Sequence, residues 1–188
     1  MNPLEVIGFV FGVAGIWLTI KENIWCFPVG LVNVIVSFFL FYEEQLYSDT
    51  LQQAVYVVLL SYGWYAWVFK KGDKKKLPIT GLSLNYWLLL IVVMIVVAFG
   101  MGTLFAKNTD ADIPYLDAGA TAICFVAQFL IARKKIENWY LWLIANAMYI
   151  GIFIYKDLYL YSTLHTAYFI LAIIGLNTWS KQRKIQNA

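Results

Sequence analysis

Charge is what this sequence has least of. Of its 188 residues only 13% are Asp, Glu, Lys or Arg, while 62% are hydrophobic. A soluble domain carries about twice that charged share, so water is not the main solvent of the molecule. Histidine occurs once, at His165, and cysteine twice, at Cys26 and Cys124. Neither cysteine has C-x-x-C spacing or a histidine neighbour, so neither a disulfide framework nor a metal site is expected, and the thiols read as packing residues. Also missing are a G-x-G-x-x-G turn, a P-loop, and any nucleophile or acid pair placed to work together, which a membrane enzyme would need. Met1 to Glu5 holds no basic residue and no A-x-A site follows the first apolar run, so that run is expected to be a mature helix and not a signal peptide.

Long apolar runs are present instead. About twenty residues of helix cross a hydrocarbon core, and seven windows of that kind occur: Leu4–Ile20, Ile24–Tyr42, Ser48–Phe69, Leu82–Leu104, Leu116–Ala132, Glu137–Tyr155 and Leu160–Ser180. Backbone groups find no water in lipid, and continuous apolar runs do not suit the alternating strands of a barrel, so each window is expected to be a helix. The expected fold class is all-α and integral to a membrane, with seven transmembrane helices. With the C-terminus inside and the N-terminus outside, Lys21, the run Lys70 to Lys76, Arg133 to Lys135 and Lys181 to Lys184 face inward, and only Lys107 and Lys156 face outward. Twelve of the fourteen basic residues then obey the positive-inside rule. Glu43, Glu44, Asp49, Asp110, Asp112, Asp117 and Asp157 gather at the outer ends. The net charge of +3 is accounted for by topology and gives no reason to expect nucleic acid as a partner. Membrane lipid is the expected surrounding, with Lys70 to Lys76 as an inner anchor.

The stretch from Asn33 to Trp67 reads again from Asn146 to Trp179, one residue shorter. Asn33 precedes Tyr42 as Asn146 precedes Tyr155; Leu46 and Tyr47 match Leu158 and Tyr159; Tyr56, Gly63 and Trp67 match Tyr168, Gly175 and Trp179. Three spans are an odd number, so two copies joined directly would be inverted. The window Leu82–Leu104 adds a crossing and returns the chain, giving two parallel three-helix repeats. Three segments are expected: 1–70 as the first repeat, 71–115 as a linker helix with its loops, and 116–188 as the second repeat with a short inner tail. This 3+1+3 plan is that of SWEET-type carriers, which hold substrate where the repeats meet near the bilayer midplane.

Polar residues at that depth are the candidates. Asn33 and Asn146 fall about halfway along their helices, and a polar group in hydrocarbon costs on the order of 1 kcal/mol or more. Each needs a helix-helix hydrogen bond, a cavity or a ligand, and the matched pair leans toward a site. Gln53 aligns with His165, and each is followed three residues later by a tyrosine, Tyr56 or Tyr168, on the same helix face. His165 is expected to be a neutral imidazole that donates one hydrogen bond and accepts another, in preference to a proton relay. Trp139, Trp142, Asn146 and Tyr149 form one stripe of the sixth span. Matched to Cys26, Val29, Asn33 and Val36, they place an aromatic wall in one repeat only. Such a wall holds a flat ring by stacking and a cation by π attraction, while amides read polar substituents. No cofactor or metal is called for.

Several segments together carry a family likeness: Ile136 to Trp142 followed by Asn146, Gly30 to Val34, Leu46 and Tyr47 leading to Gln53, Tyr62 to Trp67, and Asp117 at the entry to the fifth span. Through them the chain resembles the PnuC family of nicotinamide riboside carriers along nearly its whole length. The resemblance implies a bacterial inner-membrane protein, often trimeric, that lets nicotinamide riboside equilibrate while cytoplasmic phosphorylation traps it. It implies that Trp139, Trp142 and Asn146 line the substrate site, with Gln53 and Asn33 opposite. Relatives of the same architecture carry thiamine or riboflavin. Cys26-Phe27, His165, Ser61 and Ile174 depart from residues found in members, which keeps a thiamine or riboflavin carrier as the alternative.

Overall fold

A computed structural model describes residues 3–43, 47–70, 76–109 and 112–187. These form seven helices: α1 Pro3–Ile20, α2 Cys26–Glu43, α3 Tyr47–Phe69, α4 Leu84–Asn108, α5 Pro114–Ala132, α6 Asn138–Tyr155 and α7 Tyr159–Asn187. Each helix lies on one of the expected apolar windows. Glu44, Leu46, Lys71 to Lys75 and Asp110, which entered the sequence reading, lie outside the described residues. The largest departure is α7, which runs past Ser180 through Lys181, Arg183 and Lys184. Its polar last turns are docked, because Gln186 Oε1 accepts a hydrogen bond from the Ile79 N–H at 3.0 Å.

Three helices stop in one way. Glu22, Lys134 and Asp157 follow α1, α5 and α6 with φ of 53°, 48° and 57°. The N–H of each, and that of the next residue, turn back onto the last carbonyls: Glu22 to Thr19 and Asn23 to Leu18, Lys134 to Ile131 and Lys135 to Leu130, Asp157 to Ile154 and Leu158 to Phe153. This double closure satisfies groups a helix end leaves bare and reverses the chain. Glycine is the usual occupant of the left-handed position, since a side chain there costs about 1 kcal/mol.

Packing closes six helices into a ring. α1 lies on α2, α2 on α3, α3 on α5, α5 on α6, α6 on α7, and α7 on α1; α4 packs on α5 alone, outside the ring. α4 is long and apolar with only 11% of its span buried, and it turns Leu88, Leu89, Val92, Ile95, Val96 and Phe99 outward. Ile35, Phe39, Val58, Ile144 and Ile170 do the same on ring helices. An apolar surface of that extent is one that water does not tolerate and lipid does. Among the described residues, by length and composition alone, α4 and α5 qualify as membrane spans, against the seven expected. Ile7–Ile20 and Cys26–Leu40 are apolar but shorter, and α3, α6 and α7 lose hydropathy to the amides, hydroxyls and imidazole they carry.

One separation, the 112 residues between Glu22 and Lys134, relates a whole set of contacts. Phe27 stands edge-on to Trp67, with ring centroids 5.0 Å apart, and Trp139 stands edge-on to Trp179 at 5.4 Å. The Phe27 ring lies over Gly63 and the Trp139 ring over Gly175. Trp67 Nε1–H donates to Ile131 O at 3.2 Å, and Trp179 Nε1–H donates to Thr19 O at 3.3 Å. Each indole thus ties α3 or α7 to the first helix of the opposite half. Phe27, and not Cys26, is therefore the counterpart of Trp139. Between this aromatic and its asparagine α2 has one residue fewer than α6, so Asn33 and Asn146 differ by about 100° of helix rotation. The matched asparagines do not share one environment.

The buried core gathers where the α1–α2 and α5–α6 loops meet. Ile20, Phe27, Trp67, Ile131, Trp139 and Trp179 pack there together with Ile79. Ile79 belongs to a strap leading into α4, where Thr80 N–H donates to Lys134 O and Ile136 N–H donates to Thr80 O, both at 3.0 Å.

Candidate functional site

Halfway along the ring the interior turns polar. Asn146 on α6 is 3% exposed, and its Nδ2 donates to Trp142 O at 2.8 Å. That leaves Oδ1 as an acceptor, and His165 Nδ1 on α7 lies 2.9 Å from it. An amide oxygen cannot donate, so Nδ1 carries the imidazole proton and Nε2 keeps a lone pair. Rings enclose the imidazole: Tyr149 at 4.7 Å between centroids, Phe153 at 5.2 Å and, edge-on, Tyr168 at 5.7 Å.

Tyr168 also reaches α1. A Cβ built on Gly12 would lie 2.7 Å from the Tyr168 hydroxyl and 3.6 Å from Asn33 Nδ2. The bare backbone at Gly12 is what lets Tyr168 from α7 and Asn33 from α2 converge on α1. Across the ring, the Tyr56 hydroxyl on α3 accepts from Gln52 Nε2 at 3.2 Å. The Tyr56 ring stands edge-on to Phe125 on α5, with centroids 5.8 Å apart, next to the buried Cys124. The Tyr149 hydroxyl lies 3.2 Å from Thr121 Oγ1. Cys124 follows Gly12 by the same separation that relates Tyr168 to Tyr56. Each tyrosine therefore meets the first helix of the other half, and aromatic and polar contacts cross the ring from α3 through α5 and α6 to α7.

Six of the nine expected residues join this centre: Asn33, Tyr56, Asn146, Tyr149, His165 and Tyr168. Trp142 flanks it, with its carbonyl holding Asn146 and its indole packed between two apolar clusters. Trp139 does not reach it. At 2% exposure Trp139 belongs to the core beside Trp179, and its buried indole N–H has no hydrogen-bond partner. The expected wall of two indoles therefore begins at Trp142, because the first turn of α6 lies at the level of the core. Gln53 is half-buried on α3, but the amide that bonds Tyr56 comes from its neighbour Gln52. Sequence reasoning also passed over Gly12, Thr121, Cys124 and Phe153. Carrying the repeat back into the first helices would have matched Gly12 to Cys124.

Two cavities open elsewhere. One of about 260 Å³ is lined by Gly81, Ser83, Tyr86, Arg133 and Lys135 near the start of α4, and an apolar groove of about 330 Å³ runs between α2 and α3. Neither is lined by the residues of the polar centre. Every lysine and arginine among the described residues lies in a loop or near a helix end, leaving amides, hydroxyls, an imidazole lone pair and π faces to do the binding. Those groups suit a flat, hydroxylated ring that is neutral or positively charged.

An apolar exterior around six helices that enclose a polar, aromatic middle defines a helical membrane transporter. The chain belongs to the nicotinamide mononucleotide transporter family, whose pattern it matches over residues 2–181. Among curated proteins it is 30% identical to the nicotinamide riboside transporter PnuC of Escherichia coli (strain K12), the match covering 94% of this chain and 83% of that protein. It is 23% identical to the riboflavin/roseoflavin transporter RibM of Streptomyces davaonensis, over 93% of this chain and 83% of that one. The crystal structure of the vitamin B3 transporter PnuC superposes with a TM-score of 0.78 at 22% identity, covering 97% of this chain and 84% of the other. The likeness read from the sequence motifs is borne out, and the seven-helix arrangement is that of the solved transporter.

Proposed function

We propose that this protein carries nicotinamide riboside across the inner membrane of a bacterium by facilitated diffusion, with phosphorylation in the cytoplasm preventing its return. All seven helices cross the bilayer with the N-terminus outside and the C-terminus inside, α1–α3 and α5–α7 are the two parallel repeats, and the chain assembles into a homotrimer as the family likeness implies. The observation that carries the reading is the ring-enclosed pair of Asn146 and His165. It offers a donor-acceptor set for a carboxamide or ribose hydroxyls beside aromatic faces for a pyridinium. Asn33, Gln53, Tyr56, Trp142, Tyr149 and Tyr168 complete the contacts, and no step of covalent chemistry is required.

The riboflavin/roseoflavin relative supports a second reading, since its substrate is also a flat ring; thiamine, cationic and aromatic, is a third. A thermal-shift panel of nicotinamide riboside, nicotinamide, thiamine and riboflavin separates them, because a ligand that binds the folded carrier raises its apparent stability. Nicotinamide riboside is expected to give the largest shift. A larger shift with riboflavin or thiamine, or none with the riboside, overturns the assignment.

A further inference from the structure

The most deeply buried charges lie far from the polar centre, at the core end of the ring. Lys134 Nζ and Glu22 Oε2 form an ion pair whose side chains are 1% and 4% exposed. Lys134 also donates to Leu77 O at 2.9 Å and lies 4.4 Å above the Trp67 ring. Burial pulls the ammonium below the ordinary lysine range, with Glu22 opposing that pull. Three features set this pair apart from a chance contact. Its members occupy equivalent positions in the two halves, each the left-handed residue that closes the first helix of its unit. Both positions favour glycine, so side chains are kept there at a cost in strain, and retained strain of this kind gathers at functional positions. Finally, the two indole bonds that cross between the halves, Trp67 to Ile131 and Trp179 to Thr19, flank the pair on either side.

From this we propose that Glu22 and Lys134 are the inner gate of the carrier, a contact that holds the two halves together at the cytoplasmic end and separates to release substrate. The proposal rests on the transport reading and adds to it the residues that close the path. At the opposite end an ion pair of Lys156 with Asp117 joins two elements of the same half, so among the described residues the ion pair that crosses between halves is at one end alone. An ion pair suits a contact that must open repeatedly. The Coulomb attraction of buried charges is nearly cancelled by the hydration they give up, so when the halves part the two ions regain water at little net cost. An apolar contact of the same size would have no such compensation and would hold the end shut.

Two arms test this in the full chain. In liposomes, the double variant Glu22→Leu with Lys134→Met replaces the pair by apolar side chains, a change that buried ion pairs commonly accept without loss of stability. Its melting temperature is expected to be no lower than the parent's and its riboside binding to stay within about twofold, while exchange slows by about tenfold or more, because the closed state now lacks a hydrated alternative. In the second arm Glu22→Gln leaves the Lys134 charge buried without its counterion, which drives the end open. Cys26, 5% exposed within that core, is the reporter: its modification by a water-soluble maleimide, located by peptide mass spectrometry so that Cys124 is distinguished, is expected to accelerate by about tenfold. Exchange at the parent's rate in the double variant, or unchanged Cys26 modification in Glu22→Gln, overturns the proposal. The thiol arm involves no substrate, so an error in the assigned vitamin leaves it intact, and the double variant decides the matter should the single one fail to fold.

Discussion

At the scale of single residues, the centre depends on which atom holds a proton and where a side chain is missing. Asn146 fixes His165 in the tautomer that leaves Nε2 free to accept, so Asn146→Leu removes an acceptor and frees the imidazole to rotate. Losing one buried hydrogen bond costs about 1–3 kcal/mol, so riboside affinity measured by calorimetry is expected to fall by about tenfold to a hundredfold. Unchanged affinity would remove Asn146 from the site. Gly12→Ala tests the opposite face, where the new methyl meets the Tyr168 hydroxyl at 2.7 Å. A hydroxyl at the tip of a mobile ring can yield, so the fold is expected to persist and the affinity to drop about tenfold as Tyr168 is displaced. Asn146 and His165 were legible in the sequence because an amide and an imidazole stand out in an apolar window. Gly12 and Cys124 were not, since a gap and a thiol in such a window look like ordinary packing.

At the scale of helices, each half is knit together by a ring laid on a glycine. Phe27 covers Gly63 and Trp139 covers Gly175, and both rings are buried and wedged against a tryptophan. Neither can retreat from a new methyl. Gly63→Ala and Gly175→Ala are each expected to cost about 1–3 kcal/mol, a fall of several degrees in melting temperature. Gly100 and Gly151 also lie within helices, but a Cβ there meets nothing. Alanine at these two is expected to leave the melting temperature unchanged or raise it, since alanine favours helix by up to about 1 kcal/mol; a similar loss at all four positions would show that the rings are not what matters. The helices themselves could be read from hydrophobic runs, which fix an element's existence well. The slip between α2 and α6 could not, because one residue more inside an apolar helix alters no composition and shows only in which ring meets which glycine. Pairing by residue identity joined Asn33 to Asn146, whereas pairing by contact joins Phe27 to Trp139, and only the second predicts what each side chain touches.

At the scale of the whole molecule, the distribution of charge decides what can pass. Among the described residues the basic side chains sit in loops and near helix ends, the acids sit there too, and those gathered at the middle of the ring are neutral donors, acceptors and aromatic faces. A monocation with a delocalised charge is met there by π faces. A phosphate is not, since bringing an anion to that depth without lysine or arginine costs several kcal/mol even after relaxation. The family's description names nicotinamide mononucleotide and the curated relative's name gives the riboside; the two molecules differ by that phosphate, and the ring offers no counter-charge for it. In liposomes loaded with unlabelled nicotinamide riboside, uptake of the labelled riboside is expected to exceed that of the mononucleotide by about a hundredfold or more, the factor that roughly 3 kcal/mol of uncompensated burial imposes. Excess mononucleotide outside is expected to leave riboside exchange untouched. Competition at comparable concentrations would mean that a basic side chain from a loop or a helix end reaches the centre when the ring opens, and the neutral middle would no longer explain selectivity.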